Sequence, residues 1–180
     1  DRLIAQAPYV PPSDPLVQQK LEQWKDLKFG LLMHWGPYSQ WGVVESWSIC
    51  PEDEGWCRRD SAHGKTYNEY VRNYEALQTT FDPVKFNPDT WARAAKDAGM
   101  KYVVFTTKHH DGFCMFDTKT TTFDVMSTPY KQDITAALVK AFRAAMDAGH
   151  HPFGALLVGR PTPSGLQFAV SVIGVLVFAG

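Results

Sequence analysis

Three histidines stand where short apolar runs end. His34 follows Phe29-Gly-Leu-Leu-Met33, and the adjacent pair His109-His110 follows Tyr102-Val-Val-Phe-Thr-Thr-Lys108. Imidazoles brought together can donate hydrogen bonds to hydroxyl groups or bind a metal ion. The metal reading needs a carboxylate or a third imidazole in correct geometry, and Asp111 is the carboxylate nearest in sequence. Glu45, Trp35 and Trp47 accompany the histidines and favour a pocket for a polar ligand over strand-end histidines that only satisfy backbone groups. Successive residues of a strand face opposite ways, so only one of His109 and His110 can follow the interior in regular geometry; the other must leave the ladder to join it.

Cysteine chemistry is less promising. Cys50, Cys57 and Cys114 are an odd count, which leaves one over from any disulfide framework, although a Cys50–Cys57 bridge stays open. The spacing of Cys50, Cys57 and His63 fits no zinc finger or ribbon. Neither a metal nor a cofactor is expected.

Positioning these residues requires strands that empty into polar loops. Asp14-Pro15 is a helix start, with Val17, Leu21 and Trp24 at helical spacing behind it. A strand over 29–35 delivers His34, and a long loop runs from Gly36 to about Gly64. Tyr67, Tyr70, Val71, Tyr74 and Leu77 share one helical face. Asn87-Pro88 opens a further helix with Trp91, Ala94, Ala95 and Ala98 inward, closed by Gly99. The strand over 102–108 then delivers His109 and His110. Asp133 caps a helix carrying Ile134, Leu138, Phe142 and Met146, Gly149 ends it, and Phe153–Val158 reads as the next strand. Alternating strands and helices predict an α/β fold with a parallel sheet, in which sites collect at strand ends.

Composition narrows the partners. With 18 basic and 19 acidic residues the chain has no surplus of positive charge for a polyanion, so nucleic acid is not expected. The hydrophobic content of 44% is that of a globular protein, and aromatic residues at 13%, with six Trp, suit stacking against a neutral polyhydroxylated ligand as well as filling a core. Ala5-Gln6-Ala7 resembles the end of a secretory signal, an indication of a secreted or periplasmic protein. The apolar stretch Leu166–Ala179, interrupted by Gln167, Ser171 and Gly174, is shorter than the roughly 20 residues of a membrane span and reads as a buried strand.

Three ordered segments resemble the α-L-fucosidases of glycoside hydrolase family 29. Phe29-Gly-Leu-Leu-Met-His-Trp-Gly-Pro-Tyr-Ser39 is similar to the family's F-G-x-F-x-H-W-G-x-Y-S stretch. Lys101-Tyr-Val-Val-Phe-Thr-Thr-Lys-His-His-Asp-Gly-Phe113 is a longer match, and the run from Phe81 to Gly99 resembles the helix that precedes it. The likeness implies the N-terminal portion of a (β/α)8-like barrel that hydrolyses terminal α-L-fucose with retention, its partner being a fucosylated glycan or glycoside. By the same likeness His34, His109 and His110 contact fucose. Glu45 and Trp47 join them more loosely, because the family places Glu and Trp side by side and Ser46 separates them here.

The resemblance also implies what should be missing. A retaining glycosidase needs two carboxyl groups about 5 Å apart, and the family takes its nucleophile Asp and its acid/base from later strands and loops. No Asp or Glu follows Asp147. The expected organisation is an extension over 1–13, a partial fucosidase-like barrel over 14–149 and an unmatched apolar tail over 150–180. At 180 residues the chain is below the roughly 250 that a complete barrel uses. The expectation is a fucosidase-like chain that does not itself cleave. The alternatives are a non-catalytic fucose-binding fragment and a metal-dependent barrel hydrolase with His34, His109 and His110 around the ion.

Overall fold

A computed structural model describes residues 10–50, 58–147 and 172–176. The elements in chain order are α1 (Pro15–Leu27), β1 (Gly30–Met33), α2 (Tyr67–Ala76), α3 (Pro88–Asp97), β2 (Tyr102–Lys108), α4 (Ile134–Asp147) and β3 (Val172–Leu176), with short 3-10 turns between β1 and α2.

The helices begin and end for local reasons. Asp14, Thr66 and Asn87 each accept a backbone N–H of the first turn, and Pro15 and Pro88 stand at the first helical position, where a missing N–H costs nothing. Gly99, at φ 78, turns the chain out of α3; its N–H donates to the Lys96 carbonyl and the Met100 N–H donates to that of Ala95. Asp133 accepts the Ala136 N–H through Oδ1 at 2.7 Å and the Asp117 N–H through Oδ2 at 2.9 Å, so it joins the start of α4 to the preceding loop.

β1 and β2 run parallel, with Gly30 opposite Tyr102 and Met33 opposite Phe105. That register sets the ends of the two strands side by side. β3 pairs with the other edge of β2 in the antiparallel sense, so the sheet order is β1-β2-β3 and the sheet is mixed. This corrects the expectation of a parallel sheet: Val172–Leu176 pairs directly with β2 in the opposite direction. Phe153–Val158, expected as the next strand, and Gly149 lie outside the described residues.

The core lies between β2 and the helices α3 and α4. Phe105, Phe113, Met115, Val125, Ile134 and Leu138 are almost fully buried there. Each large apolar side chain removed from water in this way contributes about 1.5–3 kcal/mol. A smaller cluster of Tyr38, Tyr74 and Leu77 seats α2 beneath the loop that follows β1. Three details differ from the helical spacing. α1 has no buried residue, and Trp24 meets the ring of Tyr102 edge-on. In α3 Ala92 and Ala95 are buried and Trp91 packs against the core, while Ala94 and Ala98 are exposed. Tyr67 is exposed at the start of α2. Among the described residues no helix is long and apolar enough to cross a membrane.

Candidate functional site

β1 and β2 place their histidines at neighbouring strand ends. His34 comes directly after Met33, level with Thr106, and the Thr106 hydroxyl lies 3.3 Å from its Nδ1. β2 continues to Lys108 and then breaks. The Gly112 N–H donates back to the His109 carbonyl with Gly112 at φ 83, while the Asp111 side chain accepts the Phe113 N–H. This tight turn takes His109 out of the ladder and inward, where it is buried. His110 is half-buried beside it, the two rings 4.6 Å apart and nearly perpendicular.

Glu45 organises the cluster. Its Oε1 lies 3.0 Å from Nδ1 of His34, and its Oε2 lies 2.8 Å from Nε2 of His109. The indole N–H of Trp47 donates to the same Oε2 at 2.9 Å. One carboxylate thus gathers donors from both strand ends and from its own loop, and charge-assisted bonds of this kind are about twice as strong as neutral ones. Glu45 has φ 50, in the left-handed region that side chains other than Gly seldom adopt. Such a conformation costs on the order of 1–3 kcal/mol and persists only where its surroundings enforce it. Trp47 also packs its ring on His110, with centroids 4.3 Å apart.

The electrostatics favour a neutral His109. Burial, followed by the neighbouring His110, lowers its pKa to about 4, with Glu45 acting in the opposite direction and His34 in the same one. Burial pushes the Asp111 carboxyl up, against the Tyr74 hydroxyl and the Phe113 N–H that bond it. Burial also raises Tyr74 well above the ordinary phenol range, and the adjacent Asp111 adds to it.

His34, Glu45, His109, His110 and Trp47 are therefore in one place. Trp35 is not among them: it packs against Phe81, Phe86 and Trp91 on the apolar side. Asp111, the carboxylate nearest the paired histidines, turns its side chain to Tyr74 Oη at 2.7 Å. Among the described residues, those that could hold a metal ion are His34, Glu45 and His109, whose ligand atoms lie within 4.8 Å of one another. This differs from the triple-histidine arrangement, because His110 faces Trp47. His63 lies flat on Trp41 at 4.0 Å, and Cys57 is outside the described residues. Sequence reasoning missed Ser46, which is wholly buried, bonds Nδ1 of His109 and accepts the Asp111 N–H at 3.1 Å. Its position between Glu45 and Trp47 was the only signal in the chain.

A carboxylate, imidazoles and an indole converge at the ends of the parallel strands of an α/β chain, the place where sites collect in such folds. The sequence profile of the α-L-fucosidase family matches residues 1–149. The tissue α-L-fucosidase of Bos taurus is 34% identical over 113 residues, covering 58% of this chain and 23% of the bovine one. The GH29 α-L-fucosidase of Bacteroides thetaiotaomicron, solved as a trapped covalent intermediate in complex with 2-fluoro-fucosyl fluoride, is similar over 77% of this chain and 29% of its own, with 31% identity and a TM-score of 0.55. The Lactobacillus casei α-L-fucosidase in complex with α-L-fucose product is similar over 71% of this chain and 38% of its own, with 31% identity and a TM-score of 0.53. The chain belongs to the α-L-fucosidase family, glycoside hydrolase family 29. It spans 23 to 38% of the length of these three relatives.

Proposed function

We propose that this chain carries the sugar-holding part of an α-L-fucosidase site, and that residues 1–180 bind fucose without cleaving its glycosides. The observation that supports the reading is the Glu45 carboxylate held by His34, His109 and Trp47 at the ends of two parallel strands. A carboxylate fixed in this way offers its remaining lone pairs to sugar hydroxyls, and the flanking imidazoles add donors. In this reading β1 and β2 are adjacent strands of a (β/α)8-like barrel within residues 14–149. The substrate of the whole enzyme is a terminal α-L-fucoside on a glycan or glycoside, cleaved with retention. The ligands bound by the two bacterial relatives, a fucosyl fluoride and fucose itself, are consistent with that substrate class.

The proposed lack of cleavage by residues 1–180 is supported by the bonding of their carboxyl groups. Retention needs a nucleophile and an acid/base about 5 Å apart. Glu45 is committed to three donors and Asp111 to Tyr74, and no Asp or Glu follows Asp147. Export to the periplasm or the cell exterior is part of the same proposal, on the strength of Ala5-Gln6-Ala7. Calorimetric titration with deoxyfuconojirimycin tests binding, and a flat titration removes the proposal. Incubation with an aryl α-L-fucoside tests the second half, since turnover lost on replacing His34 overturns it.

A second reading, a divalent metal at His34, Glu45 and His109, is favoured by the convergence of their ligand atoms. Metal analysis of the purified chain decides it: stoichiometric zinc, iron or manganese supports the metal, and none removes it.

A further inference from the structure

Ser46 and Asp111 have no place in the sugar-binding reading as it stands, yet Ser46 bonds His109 and Asp111 bonds Ser46. We infer that Ser46 is a positioning residue whose hydroxyl donates to Nδ1 of His109 and holds that imidazole in the tautomer that places its proton on Nε2, against Glu45.

The bonding leaves little choice. Ser46 is fully buried, and its oxygen accepts the Asp111 N–H at 3.1 Å. A hydroxyl has one proton to give, and the acceptor beside it is Nδ1 of His109. The opposite ring nitrogen lies 2.8 Å from Glu45 Oε2. Were the proton on Nδ1 instead, Nε2 would press a lone pair against a carboxylate oxygen at that distance. Protonation of both nitrogens is opposed by burial and by the rings of His110 and His34. His34, Glu45 and His110 are the titratable groups that act on His109, with Asp111 on the far side of Ser46. The neutral form protonated on Nε2 satisfies every partner.

The lock is braced from outside the site. The Asp111 carboxyl accepts the Tyr74 hydroxyl at 2.7 Å and the Phe113 N–H at 3.0 Å, and Tyr74 is a buried residue of α2. The Asp111 N–H that orients Ser46 is therefore held by a helix packed behind the loop. A hydrogen-bonded path runs from Tyr74 through Asp111 and Ser46 to His109 and Glu45. As a device for sugar recognition the lock rests on the function proposed above; as a statement about the tautomer it does not.

The test is long-range proton–nitrogen NMR of the imidazoles in the 15N-labelled chain, with His109 assigned by the signals lost in His109→Gln. The expected spectrum at pH 7 shows a protonated Nε2 and a bare Nδ1. In Ser46→Ala the bare nitrogen loses its donor, so the tautomer protonated on Nδ1 gains population and the two ring-nitrogen shifts move towards each other at pH 7. Ser46→Thr keeps the hydroxyl and restores the nitrogen shifts of the unaltered chain. Deoxyfuconojirimycin binding weakens about five-fold in Ser46→Ala and recovers in Ser46→Thr. A protonated Nδ1 in the unaltered chain, or Ser46→Ala nitrogen shifts equal to those of the unaltered chain, overturns the inference. An Nε2-protonated His109 in a chain that binds no iminosugar upholds the tautomer and sinks the functional reading alone.

Discussion

Nε2 of His109 lies 2.8 Å from Oε2 of Glu45, joining the end of β2 to the loop after β1. His109 is 4% exposed and Glu45 24%, so the contact is shielded on one side and open to a ligand on the other. In the proposed function that asymmetry divides the roles: the histidine orients and the carboxylate meets the sugar.

Glu45→Gln keeps the shape of the side chain but removes its charge and replaces one acceptor oxygen with a donor NH2. Deoxyfuconojirimycin affinity should fall at least ten-fold, the equivalent of about 1.5–3 kcal/mol for bonds to a charged group. Calorimetry on a variant with an unchanged circular dichroism spectrum is the check, and equal affinity would show that Glu45 does not meet the sugar.

Acid should weaken the fold through His109. Its native pKa of about 4 lies below the unfolded value of 6.5, so between these pH values the unfolded chain binds the proton and the native chain does not. This part of the stability is complete above about pH 6.5 and is lost as pH falls towards 4, amounting to about 2–3 kcal/mol. Asp111, shifted upward, acts in the opposite sense and offsets part of the loss. Unfolding curves from pH 7 to pH 4.5 measure the slope, which should flatten in His109→Gln.

Tyr74→Phe deletes the hydroxyl that bonds Asp111 and leaves a shielded carboxyl without its shortest partner. A cost of about 1–3 kcal/mol in urea unfolding is expected. Removing both groups together in Tyr74→Phe with Asp111→Asn should cost less than the sum of the single changes, as coupled partners do.

Gly30 faces the ring of Tyr102, where an added Cβ would come within 2.3 Å of Cε2. Gly30→Ala should therefore part the β1–β2 pair at its first register position, at about 1–3 kcal/mol. Thermal unfolding measures it, and Gly30→Ala with Tyr102→Ala should recover part of the loss by opening the space.

Much of the local structure could be read from the chain. β2 spans 102–108 as its β-branched run predicts, and Asp14, Asn87 and Asp133 cap their helices because a cap acts across two or three residues. The exposed stripe of α1 and the outward Ala94 and Ala98 could not be read, since periodicity marks a face without naming its partner.

The site divides in the same way. The sequence alone determined that histidines end two strands and that Glu45 and Trp47 share the loop after the first. Only the tertiary structure decided that Glu45 bridges His34 and His109, that Asp111 turns to Tyr74, that Ser46 reaches across 63 residues to His109, and that β3 runs antiparallel. The physical reason is range. Caps and strand propensity are settled by neighbours in the chain, whereas a hydrogen bond between distant residues exists only after the packing of β1, β2 and α2 has brought its donor and acceptor together.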